Sequence, residues 1–400
     1  MASPRARHLV ICAALLGGCR ARGPTYHADV APILAARCRD CHQRGGVAPV
    51  PTLDDYASAR MYAQPIKVAV QTRRMPPWGA DDTGLCGKWE GARWLSGDEI
   101  ATIAAWQEHG APEGDARPAP IPPRRESPFR ADALLDTGVV YRPGLGAVGN
   151  RCFIADPALD RDRLLTAIRV VTTDARALSQ VTLFALDSPA AETAARALDA
   201  ADATPGYACF GTARAPDTRL LASWSWPEPV LRLPSGTGVR MRAGRAIVVQ
   251  IHYDITTAGG AYQSRTRVEL ELDDRARELR VLPVAADGAL AEAKRYVSVE
   301  SSRSIDRPLR VFAVAPRMHI RGEVMQLQVE RGAARQCLAN FDHWHFYNGR
   351  LFNAVNPIDV KAGDRISISC AYETLGRTRP TLFGDDIDDE ECIAYLFVGD

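Results

Sequence analysis

Along this chain the spacing of hydrophobic residues changes once, from helical to alternating. Over residues 25–115 the apolar positions recur at three and four. Residues 29–36 lead into a cysteine-rich turn. Ser96-Gly97-Asp98-Glu99 is a capping box, and it opens a helix through Ile100, Ile103, Ala104 and Trp106 that Gly110 stops. Residues 116–130, rich in proline and arginine, read as an extended linker. Beyond the linker the period is two. Residues 245–254 and 365–372 read as strands, and Glu323-Val324-Met325-Gln326-Leu327-Gln328-Val329-Glu330 alternates as a half-buried strand should. The charged run Asp273-Asp274-Arg275-Ala276-Arg277-Glu278 marks either a boundary or a solvated turn within one domain. The pattern predicts a multidomain chain. A small all-α domain over 25–115 precedes two all-β sandwiches, jelly-roll-like, over 131–273 and 274–400.

The first nineteen residues stand apart. A basic start, an apolar run over 9–16 and Leu16-Gly17-Gly18-Cys19 form a segment too short to span a bilayer, as in a removable export signal. Its end resembles a bacterial lipobox. That resemblance implies lipidation at Cys19 and an exported lipoprotein facing the periplasm, on the outer membrane, held there by lipid alone. An ordinary secretory signal is the other reading. No later stretch is long and apolar enough for a transmembrane helix.

Forty-nine basic residues against forty-eight acidic ones give a net charge of +1, which leaves no electrostatic case for nucleic acid. Of the ten cysteines, Cys12 and Cys19 belong to the signal and Cys38 and Cys41 to the motif below. Six remain. In an oxidising compartment an even remainder fits three disulfides, and spacing leaves their pairing open.

Cys38-Arg39-Asp40-Cys41-His42 spells C-x-x-C-H, the attachment site of a covalent haem c. Two thiols one turn apart can each add to a haem vinyl group, and the next imidazole then lies under the iron. A redox dithiol or half a zinc site are the competing readings, but no second close Cys/His pair follows. Met75, held by Pro76 and Pro77 before Trp78, is the candidate for the other axial bond. Met61 and His109 are its rivals, and a five-coordinate iron is the alternative. Residues 26–115 resemble the cytochrome c-like modules of bacterial exported oxidoreductases. The resemblance rests on Ala28-Asp29-Val30-Ala31-Pro32-Ile33-Leu34, the haem motif, the Met-Pro-Pro-Trp run and Gly110-Ala111-Pro112-Glu113-Gly114. His/Met ligation raises the potential, which suits electron transfer.

From Arg151 onward the chain resembles the copper type II, ascorbate-dependent monooxygenases, the family of peptidylglycine α-hydroxylating monooxygenase and dopamine β-monooxygenase. The match runs through Leu233-Pro234-Ser235-Gly236-Thr237-Gly238-Val239-Arg240, Val249-Gln250-Ile251-His252-Tyr253, Pro316-Arg317-Met318-His319 and the stretch from Cys370 through Gly376-Arg377-Thr378 to Cys392. It implies two sandwiches with one copper each. Carried over, the ligand positions of the first site fall on Ser179, Gln180 and His252, and those of the second on Arg317, His319 and Glu391. One histidine survives at each, and one imidazole does not hold catalytic copper. Arg317 and Glu391 are expected to form a buried ion pair where the metal would sit, and Ser179, Gln180 and His252 a neutral hydrogen-bonded cluster. The resemblance also implies bridges Cys152–Cys209 and Cys370–Cys392. Cys86 and Cys337 are left over, and a bridge between them would pin the helical part to the second sandwich. Asp342-His343-Trp344-His345 offers a relocated metal site, with His343 and His345 joining His319. Tyr395 matches a substrate-site tyrosine of the family, whereas the family's carboxylate-binding arginine is replaced by Ala315. Trp224 and Trp226 read as core.

These readings combine into an exported electron-transfer protein with one covalent haem c, serving a periplasmic redox partner. The β region is then a copper-free scaffold or binding module. The chain resembles an enzyme family whose metal ligands it mostly lacks, so whether it catalyses a reaction stays open. A copper-dependent monooxygenase fed by its own haem is the second reading, and a haem-based redox sensor the third.

Overall fold

The computed structural model describes residues 23–400 apart from 45–47, 49, 78, 93, 116–127, 145–147, 227, 229, 255–260, 293, 346–348 and 385–387. The export signal with Cys19, most of the linker and Trp78 therefore lie outside the described residues.

Strand dominates. One nine-stranded sheet runs the length of the β region. Its order is Ala133–Asp136, Thr266–Leu272, Arg163–Thr172, Thr237–Met241, Arg277–Ala286, Cys392–Gly399, Leu309–Arg317 and Phe352–Val360, with Val230–Arg232 beside the third of these. A five-stranded sheet built on Leu178–Leu186 and Ile247–Asp254 shares a core with the first half, through Leu165, Ile168, Val239, Val181, Leu183 and Val249. A four-stranded sheet built on Gly322–Arg331 and Arg365–Tyr372 shares a second core with the other half, through Val311, Leu396, Leu327 and Ile368. Strands Gly322–Arg331 and Arg365–Tyr372 bury alternate residues, which is why their period of two was readable.

This architecture corrects the expected fold class, a small all-α cytochrome c-like domain followed by two β-sandwiches, in its helical part. The chain is mainly β-sandwich, and its described residues form no sizeable all-α domain. Its amino-terminal helices are short: Ala31–Arg37, Tyr56–Met61, Ala63–Gln71 and Gly97–Glu108. They gather on a small core that includes Tyr26, Leu34, Ile66 and Trp106. The middle of the segment between the last two helices leaves them. Ala80 and Trp89 are buried in the core of the four-stranded half, Trp89 bridges Ala354, and Cys86 is bonded to Cys337. Burying an indole contributes a few kcal/mol, on the order of a Phe or Met side chain or more. Local helical periodicity carries no information about that capture. The halves of the β region are likewise continuous, because Arg277–Ala286 pairs in parallel with Thr237–Met241 at Leu279↔Val239.

Local signals held where they were strong. The Ser96 hydroxyl accepts from Glu99 N, and the Glu99 carboxylate accepts from Ser96 N at 2.7 Å, the two halves of the capping box. The disulfides are Cys86–Cys337, Cys152–Cys209 and Cys370–Cys392.

Candidate functional site

Two sites emerge, a buried cluster of charges between the sheets and a cavity under the C-x-x-C-H turn.

The cluster forms where strand Leu309–Arg317 ends against the last strand. Arg317 Nε donates to Glu391 Oε1 at 2.9 Å, with both side chains nearly excluded from solvent. The other guanidinium nitrogens reach the five-stranded sheet, Nη1 to Thr182 Oγ1 and Nη2 to Gln250 Oε1, both at 3.4 Å. Gln250 and Thr182 are both buried and share a face because they are register partners on neighbouring strands. His319 lies beside the pair. Its Nδ1 faces Asp389 O at 2.8 Å, and its Nε2 lies 3.5 Å from Glu391 Oε1. Two acceptors favour the imidazolium. Burial opposes that charge, but Glu391 outweighs it and the His319 pKa is raised. Burial would also raise the Glu391 carboxyl, yet Arg317 and His319 hold it well below the usual carboxylate range.

Glu390 is the unforeseen member. Its carboxylate accepts from His319 N at 2.9 Å and Arg321 N at 2.6 Å, and burial pushes its pKa up to about 7. Only its adjacency to Glu391 could have drawn attention to it. Tyr372 closes the cluster by donating its hydroxyl to Glu391 O at 2.8 Å.

These residues do not fit copper. The retained imidazole has its Nδ1 on Asp389 O and its Nε2 only 3.5 Å from the Glu391 carboxylate, and a guanidinium stands where a second cation would need ligands. The first set fares no better. Ser179 Oγ donates to the backbone carbonyl of His252 at 3.3 Å, and Gln180 Nε2 donates to Gly349 O and to Ser223 Oγ. The His252 ring meets Asn150 Oδ1 at 3.0 Å. Ser179 thus reaches the backbone of His252, while the Gln180 and His252 side chains turn to Gly349, Ser223 and Asn150. Nor do His319, His343 and His345 gather, and among the described residues no three His, Cys, Asp or Glu side chains form a metal-binding group. Ala315 and Tyr395 are register partners on neighbouring strands.

The second site begins at the end of helix Ala31–Arg37. Cys38 is its C-cap, and both Cys41 N and His42 N donate to Cys38 O, a turn that brings the three side chains to one side. Cys38 and Cys41 stand outside the three disulfides. Burial pushes the Cys38 thiol up to about 12, so it stays protonated. His42 Nδ1 donates to Pro51 O at 3.1 Å, which leaves Nε2 with its lone pair, and burial lowers its pKa towards the neutral ring. Met75 follows helix Ala63–Gln71 and is turned back by a bond from its N–H to Ala69 O at 3.1 Å.

Cys38, Cys41, His42 and Met75 line one cavity of about 460 Å³, whose near walls include Leu53, Ile66 and Val70. The far wall comes from the β region: Leu178, Ser179, Trp226 and His345. Trp226 therefore faces this space, while Trp224 is core. Met61 is 76% exposed and His109 lies on the surface with Nδ1 bonded to Ala105 O, and neither lines the cavity. An apolar cavity with two thiols, a tautomer-fixed imidazole and a thioether suits a covalently held haem. Sequence reasoning missed its β-region wall because nothing local connects residues 176–179, 226 and 345 to residue 38.

Comparison with known proteins bears on the carboxyl-terminal part. Residues 288–398 match the family model for the copper type II ascorbate-dependent monooxygenase, C-terminal domain. Dopamine beta-hydroxylase of Rattus norvegicus is 31% identical over 91 residues, 22% of this chain and 14% of that protein. A Homo sapiens DBH-like monooxygenase protein 2 is 24% identical over 90 residues, 22% of this chain and 18% of that one. The chain thus spans less than a fifth of the length of these relatives. Among solved structures, a mutant oxalate decarboxylase of Bacillus subtilis aligns with 66% of this chain and 82% of its own at 5% identity, with a TM-score of 0.11. That value supports no argument about fold.

Proposed function

We propose that the chain is an electron-transfer protein that carries one haem c on Cys38 and Cys41, built onto a monooxygenase-like β scaffold that no longer holds copper at its ligand positions. The observation that supports this most is the shared cavity of the C-x-x-C-H turn and Met75. A haem bound there would supply one-electron exchange with a partner. Cys38 and Cys41 would tether it by thioethers, His42 Nε2 would take one axial position and Met75 Sδ the other. The aliphatic walls and Trp226 would shield the iron from water, which favours a stable oxidation-state change over ligand chemistry at the metal. Export and lipid anchoring at Cys19 would put the site on the periplasmic side, where it would meet a redox partner protein.

The match of residues 288–398 to the monooxygenase domain favours a second reading, a copper hydroxylase fed electrons by the haem. Metal analysis of the purified, copper-supplemented protein separates the two. Iron near one per chain with copper near zero supports the first, and stoichiometric copper supports the second.

A further inference from the structure

The turn after strand Ala334–Phe341 is fastened to both halves of the β region. Trp344 donates its backbone N–H to Glu323 O at 2.7 Å and its indole N–H to His319 O at 3.1 Å. Its ring packs so close to Gly322 that a Cβ there would meet it at 2.9 Å. Gly349 O then accepts from Gln180, and Leu351 N donates to Ser223 O at 3.0 Å. His345 directly follows the anchored Trp344 and lines the cavity that Cys38, Cys41, His42 and Met75 also line.

Resting on the haem reading above, we infer that His345 is an alternative sixth ligand to the haem iron, competing with Met75. His42 fills the fifth position in that reading, so the sixth bond must come from another wall. Among the described residues that line the cavity beyond the motif itself, Met75 and His345 carry a thioether or imidazole donor. The two differ in what they favour. A thioether raises the potential by stabilising the ferrous state, and an imidazole lowers it. The cavity is then a composite of the helical part and the β region, and each of the two offers the iron one ligand.

The test uses full-length, haem-loaded wild type, Met75→Ala and Met75→Ala/His345→Ala, read as ferric spectra and reduction potentials. Wild type should show the near-infrared band of Met–Fe ligation. Met75→Ala should lose that band yet stay low-spin with the signature of two imidazoles, at a lower potential. The double variant should become high-spin. A high-spin Met75→Ala protein, or a double variant that remains low-spin, overturns the inference while leaving the haem reading intact. Wild type without covalent haem overturns both. Added imidazole should return the double variant to low spin. If it does not, the cavity itself has been lost, and the Met75→Ala spectrum alone decides.

Discussion

Arg317 and Glu391 share one hydrogen bond of 2.9 Å in a place nearly closed to solvent, and the arginine's remaining nitrogens are directed at the opposite sheet. An ion pair occupies what the family resemblance marks as a copper position. Removing one partner strands the other, which costs about 3–5 kcal/mol when the survivor stays buried. Glu391→Met should therefore lower the urea midpoint sharply, although it restores the family's residue. Arg317→His combined with Glu391→Met should recover most of the loss. A single variant as stable as the parent would show that the pair contributes nothing.

How far the sequence reached differs between these elements. The Arg317–Glu391 contact was legible because two charges of opposite sign fell on ligand positions of one resemblance. The capping box at Ser96 was legible because it is written within four residues. The continuous nine-stranded sheet was not, since the pairing of Leu279 with Val239 depends on which edges meet in space. Nor was the capture of Trp89 by the second core, because a lone indole between Gly87 and Gly91 has no period to read. The cavity wall at Trp226 and His345 is a further case, where residues far apart in the chain share one space.

Glu390 gives the cluster a pH dependence of known sign. Its carboxyl titrates at about 7 in the fold against 4.5 when free, so the folded state holds the extra proton. That contribution to stability is fully present below pH 4.5 and is lost as pH rises through about 7, roughly 3 kcal/mol in all. His319, also raised, acts in the same direction above its ordinary value. Thermal midpoints should fall between these pH values, and Glu390→Gln should flatten most of the slope. An unchanged slope in Glu390→Gln would assign it to another group.

The bridge between Cys86 and Cys337 spans 251 residues of sequence. Cross-links closing loops of this length stabilise by about 2–5 kcal/mol. Cys337→Ser should lower stability by an amount in that range. It should also open residues 79–92 to limited proteolysis, because Ala80 and Trp89 lose their covalent hold on the second core. Non-reducing peptide maps of the parent should recover Cys86 and Cys337 in one linked peptide. Finding both as free thiols would remove this tie between the helices and the β region.

The electron-transfer function depends first on what Cys38 and Cys41 carry. Intact-mass analysis of the mature protein, made in cells that attach haem c, reads this without any assumption about partners or substrates. The predicted result is one haem added per chain, resistant to acid-acetone extraction and absent from Cys38→Ser/Cys41→Ser. A chain of unmodified mass whose Cys38 and Cys41 both react with a thiol reagent after unfolding would contradict it.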